Sequence, residues 1–167
     1  ALRERIGYVP QKINLMSGTI AKNVRYGKED ASDEQVREAL QTAQASEFVD
    51  ELLDGIESAV AQGGTNYSGG QKQRLCIARA LVRKPEVYIF DDSFSALDFK
   101  TDAKLRRAMK GEMKDATVFI VAQRVSTVMN AERIIVLDDG KVVGQGKHKE
   151  LLKTCTTYKE IVKSQLS

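Results

Sequence analysis

The run Val87-Tyr88-Ile89-Phe90-Asp91-Asp92 sets a carboxylate directly behind four apolar residues. A continuous apolar run reads as a strand buried in a parallel sheet, and ligands bind at the carboxyl ends of such strands. An acid delivered there can hold Mg2+, directly or through water, as NTPases require. Alone, the pattern stands equally for a plain strand-to-loop turn. A second constellation lies upstream, Tyr67-Ser68-Gly69-Gly70-Gln71-Lys72-Gln73-Arg74. Two glycines allow close backbone approach, and the free N–H groups at the start of the following helix favour an anion. Each motif has a bland alternative; standing in this order, the two together specify phosphate chemistry far more closely.

The elements that must carry these residues follow from periodicity and punctuation. Residues 6–9 read as a short strand ending at Pro10, and residues 19–26 as a short amphipathic helix closed by Gly27. Ser32 and Gln35 form a capping box, and Val36, Ala39, Leu40 and Ala43 then share one helical face. Residues 45–53 read as a second helix stopped near Gly55, and residues 63–70 as a small-residue loop. A long helix runs from there to about Val82, ahead of Pro85. Beyond it the pattern predicts strands at 87–90 and 117–121, a helix at 99–113, a hairpin turning at Asp138-Asp139-Gly140, and helices at 149–153 and 157–163. Apolar strands alternating with helices indicate an α/β core with a parallel sheet. Residues 19–82, in which helices are the only regular elements expected, suggest a lobe inserted into it.

Composition sets limits. The 167 residues are 42% apolar and 29% charged, an ordinary globular balance. No apolar run approaches the roughly 18 residues that suggest a membrane helix, so any membrane role must come through a partner or another segment. The net charge of +3 is uneven, with ten acids against Lys28 and Arg37 in residues 28–57. That stretch reads as a solvated acidic lobe. No basic-aromatic interleaving supports a nucleic-acid surface. Cys76 and Cys155 lack metal-type spacing, and a reduced cytosolic setting is expected.

On these residues the chain closely resembles the ABC ATPase family, over nearly its whole length. Ser68-Gly69-Gly70-Gln71 matches the family's signature loop, with Tyr67 where Leu is usual. Asp91 matches the Walker B aspartate, Ser95-Ala96-Leu97-Asp98 the D-loop, and Gln11 after Val9-Pro10 the Q-loop glutamine. Gly18-Thr19-Ile20-Ala21-Lys22-Asn23-Val24 and Arg124-Val125-Ser126-Thr127 resemble exporters, and Gln62-Gly63-Gly64-Thr65-Asn66 resembles the loop that senses the transmembrane domains. The resemblance implies a partial P-loop NTPase (RecA-like) parallel-sheet core with an inserted ABC helical subdomain. The subdomain would span about residues 19–82 and the remainder of the core about 83–167. It also implies ATP and Mg2+, with Gln11 and Asp91 at the metal and Asp92 and Gln123 as catalytic residues. Gln11, Tyr67, Ser68, Gly69, Gly70, Gln71, Asp91 and Asp98 would contact nucleotide.

Two departures bear on mechanism. Asp92 stands where most active members have Glu, the residue that polarises the attacking water. Asp is one methylene shorter, and a misplacement of about 1 Å can cost ~100-fold in rate. Gln123 stands where the family has its switch histidine; it can hydrogen-bond but carries no charge. The pair resembles the non-consensus half of heterodimeric exporters. No Walker A spacing occurs in residues 1–167, because Gly140…Gly146-Lys147 has five intervening residues instead of four. The family places that loop before Ala1. His148 is expected to cap the final helices.

The function these features imply is that of an ATP-binding and ATP-hydrolysing portion energising export. Its expected partners are a second nucleotide-binding domain on a different chain and the exporter's transmembrane domains. Its expected place is the cytoplasmic face of the cell membrane, reached only through those domains. A regulatory half that binds ATP and barely turns it over is the alternative, and a soluble ABC ATPase of repair or translation the more distant one. An open sheet edge is expected near residues 87–90 or 118–121.

Overall fold

A computed structural model describes residues 2–166, so Ala1 lies outside the described residues. The chain divides into two compact units, one ending at Val121 and the other starting at Ala122. In chain order the first unit comprises β1 (Ile6–Val9), β2 (Gly18–Thr19), α1 (Ile20–Arg25), α2 (Asp33–Thr42) and α3 (Ser46–Asp50). It continues with β3 (Ala59–Val60), α4 (Gly69–Leu81), β4 (Val87–Asp91), α5 (Phe99–Glu112) and β5 (Thr117–Val121).

Strands β1, β4 and β5 form a parallel sheet in the order β1-β4-β5. The apolar run at residues 87–90 therefore lies in the middle of the sheet, and of the two places expected for an open edge it is the run at 118–121, in β5, that lies at one. Val9 and Phe90 are register partners, and both point into the core. On the opposite face, Tyr8, Ile89 and Phe119 form a cross-strand row. Tyr8 and Phe119 are each 54% exposed. The uncovered apolar surface is thus a sheet face as well as the β5 edge.

The helices begin where the sequence says they should. Ser32 Oγ accepts from Gln35 N–H while Gln35 Oε1 accepts from Ser32 N–H, capping α2. Helix α4 carries the core, burying Leu75, Cys76, Ile77, Ala78, Ala80 and Leu81. Gly27 lets α1 approach it: a Cβ there would lie 1.9 Å from the Arg79 carbonyl oxygen. Arg79 and the buried Asn23 tie the stretch after Gln11 to these helices. Arg79 Nη1 donates to Asn14 O, while Asn23 receives the Met16 N–H and donates to Met16 O.

Three sequence readings change. Helices are not the only regular elements of residues 19–82, because β3 lies among them and pairs antiparallel with β2 at their start. The helix expected over residues 45–53 shortens to Ser46–Asp50, and 3-10 helix follows at Gly55–Glu57. A short helix at Val125–Val128, unforeseen in the sequence, opens the second unit.

The second unit comprises α6 (Val125–Val128), β6 (Ile134–Asp138), β7 (Lys141–Gly146), α7 (His148–Thr154) and α8 (Thr156–Leu166). Asp139 and Gly140 both have positive φ, 46° and 72°, which suits the two-residue primed turn of the β6–β7 hairpin. His148 opens α7, and its Nδ1 lies 2.8 Å from the Tyr158 hydroxyl, so it staples α7 to α8. No helix among the described residues is long and apolar enough to cross a membrane.

Candidate nucleotide site

The acids reach their place through the strand that bears them. Asp91 closes β4, and Asp92 follows it with φ of 47°. That left-handed conformation is rare for residues with a side chain, but Asp tolerates it better than most. It comes at the point where β4 ends: the Asp92 N–H still donates to Val121 O at 2.8 Å, and the chain then leaves the sheet. Ser93 is fully buried, and its hydroxyl donates to Val9 O at 2.9 Å, pinning the turn to β1.

Two residues of the neighbouring strand's end meet these carboxylates. Gln11 Nε2 makes a long hydrogen bond of 3.5 Å to Asp92 Oδ2. The Tyr8 hydroxyl donates to Asp91 Oδ2 at 3.3 Å. Burial raises the Tyr8 pKa, and the Asp91 charge and hydrogen bond raise it further, so the phenol stays a donor. Tyr8 was not singled out in the sequence. The signal was available, since it alternates with Gly7 and Val9 on a strand that ends beside Gln11.

The glycine-marked loop is a helix start of defined chemistry. Ser68 caps α4: its Oγ accepts from Gln71 N–H at 3.2 Å, and Gln71 Oε1 accepts from Ser68 N–H at 2.9 Å. The Ser68 hydroxyl proton and the Gln71 amide protons can still be donated. Gly69 and Gly70 occupy the first turn, whose N–H groups have no partner within the helix. Tyr67 hangs this loop from β3 by donating its hydroxyl to Ala59 O at 3.0 Å.

The loop between β4 and α5 lies against that helix start. A Cβ at Gly70 would sit 3.3 Å from Ala96 O, so glycine permits the approach. Gln73, unremarked in the sequence although it shares a helical face with the buried Ile77 and Ala80, accepts the Ala96 N–H at 3.2 Å. Asp98 caps α5, binding Thr101 Oγ1 at 2.7 Å and Thr101 N–H at 2.9 Å. These bonds, the hydroxyl foremost, hold its carboxyl below the usual carboxylate range. Gln123 belongs to the second unit, where its carbonyl accepts from Gln165 Nε2 at 2.6 Å.

The donor set is one of hard oxygens: two carboxylates and the Gln11 amide carbonyl. That suits Mg2+, which keeps waters and takes one or two protein carboxylates together with phosphate oxygens. Among the described residues no group of three His, Cys, Asp or Glu side chains could hold a metal ion.

The ABC transporter family model matches residues 1–95 of this chain. The chain belongs to the ABC transporter family. It is 49% identical over 163 residues to an uncharacterized ABC transporter ATP-binding protein of Mycobacterium tuberculosis (strain ATCC 25618 / H37Rv), covering 96% of this chain and 28% of that protein. It is 40% identical over 166 residues to an ATP-dependent lipid A-core flippase of Chromobacterium violaceum, covering 99% of this chain and 28% of that one. Among solved structures, a bacterial Atm1-family ABC exporter with ATP bound superposes with a TM-score of 0.96 at 36% identity. That match covers 99% of this chain and 29% of the exporter. The chain thus spans about 28% of the length of these curated relatives. The fold is that of an ABC exporter nucleotide-binding domain, with an α/β core and a parallel sheet.

Proposed function

We propose that this ABC transporter chain forms part of a nucleotide-binding domain that binds and hydrolyses Mg-ATP to drive export, working as one half of a pair of such domains. The observation that carries the reading is the placement of Asp91 and Asp92 at the carboxyl end of β4, with Gln11 reaching Asp92 from the end of β1. In this reading Asp91 and Gln11 would hold Mg2+, which would offset the negative charge of the phosphates, and Asp92 would orient the attacking water. Ser68, Gly69, Gly70 and Gln71 face the partner domain's nucleotide, flanked by Tyr67 and Asp98. Gln123 contacts the γ-phosphate. Residues 19–82 serve as the helical subdomain and residues 83–167 as the remainder of the core. The transmembrane domains, and through them the cytoplasmic face of the membrane, complete the assembly; relatives named as export ATP-binding/permease proteins support that arrangement.

Mechanistically, the capped α4 start offers a phosphate four donors that need no reorganisation: two backbone N–H groups, the Ser68 hydroxyl and the Gln71 amide. A second, narrower reading rests on Asp92 and Gln123, which shorten and neutralise this chain's own site while its signature loop is intact. The site would then bind ATP and turn over slowly, with the partner's site doing most of the hydrolysis.

The test uses the full-length protein with its partner. Ser68→Ala should remove most turnover, and Asp92→Ala should leave most of it. If Asp92→Ala abolishes hydrolysis while Ser68→Ala is harmless, the assignment of strong and weak sites is reversed.

A further inference from the structure

Gln73 is one of four buried polar or charged side chains among the described residues, 1% exposed on the core face of α4. Burying an amide without partners costs roughly 1–3 kcal/mol, so such a residue needs a job that Leu could not do. Its Oε1 accepts the Ala96 N–H across 23 residues of chain. The side chains of Ser95 and Ala96 are themselves exposed, while Ser93, Phe94 and Leu97 on either side are buried. The tip of the loop is therefore held by its backbone from within and shown to solvent by its side chains. Gly70, one turn before Gln73, lets the helix backbone come within contact of Ala96 O.

We propose that Gln73 is a positioning residue: it clamps the Ser95-Ala96 tip to the first turn of α4, so that Ser68-Gly69-Gly70 and Ser95-Ala96 meet the partner domain as one rigid surface. This deepens the reading above and rests on it. Two exposed segments that must engage one partner together lose less entropy on docking if their relative position is fixed beforehand. A single hydrogen bond to a loop amide fixes it without presenting a bulky group to the interface. The inference concerns the joint placement of the two segments, since Gln73 itself is buried.

The experiment compares Gln73→Met, of similar length but without an acceptor, with Gln73→Glu, which when protonated keeps a carbonyl oxygen at the same place. Both are made in the full-length protein assembled with its partner. Hydrogen exchange should accelerate in a peptide covering residues 93–98 of Gln73→Met, with the α4 interior and β4 as protected as before. Its kcat for ATP should fall about tenfold, with KM changed less than about twofold, as expected when geometry and not ground-state binding is lost. Gln73→Glu should recover much of both. Unchanged exchange at residues 93–98 overturns the clamp. Accelerated exchange with unaltered kcat, or a fall in kcat accompanied by general loss of protection in α4, overturns the positioning role. If the unmodified assembly hydrolyses no ATP, the functional reading fails, and the exchange comparison still decides the clamp.

Discussion

Asn23 and Arg79 are bound to each other twice: Arg79 Nη2 donates to the Asn23 side-chain oxygen and Nε to the Asn23 backbone carbonyl, both at 2.9 Å. With the bonds to Asn14 and Met16, this cross-tie anchors the segment that follows Gln11 to α1 and α4. Both residues fall within helical runs, where sequence patterning gives no hint that a polar side chain is turned inward.

Asn23→Ala should therefore cost about 2–4 kcal/mol of unfolding free energy, because it strands the Met16 amide and part of the guanidinium together. Arg79→Lys should not preserve the network, since one ammonium cannot reach three separate oxygens at fork geometry. Denaturant midpoints of the two variants test this. A shift below half a kcal/mol for Asn23→Ala would show the network to be ornamental.

Tyr88 supplies a pH-dependent term. Burial, and secondarily the negative charge of Glu112, raise its pKa to about 12. The folded phenol thus keeps its proton where the unfolded one, near 10, has lost it. Below pH 10 the two states carry the same proton count at this residue, and its contribution is fully present. It is lost as the pH rises from 10 through 12, by an amount on the order of 2 kcal/mol. Tyr88→Phe should flatten that part of the stability–pH curve, and alkaline titration of tyrosinate absorbance should show one phenol ionising late or only on unfolding.

The strands, α4 and the α2 capping box were legible because their causes are local: apolar runs, a Ser-x-x-Gln spacing and a glycine-marked helix start. The β2–β3 pair was not, because two-residue strands carry no period and depend on contacts between residues far apart in the chain, as Gly18 with Val60. Asp91 and Ser68 stand out from the apolar run and the glycine-marked loop that precede or contain them, Asp92 and Gln11 from the family resemblance. Gln73 does not stand out, because what singles it out is the atom its side chain meets across the fold. The sequence does not decide between β4 and β5 for the open edge, since the order of strands in a sheet is not written in any one of them.

Residues 1–167 alone should bind Mg-ATP no tighter than about millimolar, worth only ~4 kcal/mol, and should not hydrolyse it measurably. Their sequence holds no Walker A spacing, and that loop and its Lys supply much of the grip on the phosphates. Calorimetric titration is the check, and micromolar binding would refute the expectation.

Asp92→Glu combined with Gln123→His should raise hydrolysis at this chain's own site in the assembled protein. Glu extends the carboxylate toward the attacking water, and His can contact the γ-phosphate in the transition state. The left-handed backbone at residue 92 tolerates Glu less well than Asp, so a small loss of thermal stability should accompany the gain. Single-turnover measurement on the double variant against the unmodified protein separates the two effects.

The row Tyr8–Ile89–Phe119 should make residues 1–167 self-associate as concentration rises, because a contiguous apolar sheet face seeks cover. Phe119→Lys should shift sedimentation toward monomer without lowering the unfolding midpoint appreciably, since Phe119 is half exposed already. A monomer at every concentration would count against it.

The pairing of β1 with β4 has a consequence for how the molecule is made. Ile6 pairs with Val87, so these two neighbouring strands lie 81 positions apart along the chain. At about 5–20 residues per second on the ribosome, β1 emerges roughly 4–16 seconds before that neighbour is synthesised. In that interval α1 to α4 can assemble among themselves, while β1 still lacks β4. Synthesis thus builds the helical part first and closes the sheet afterwards. Slowing translation just upstream of β4 should lengthen the life of a nascent chain in which the helices have met and β1 still waits for this partner.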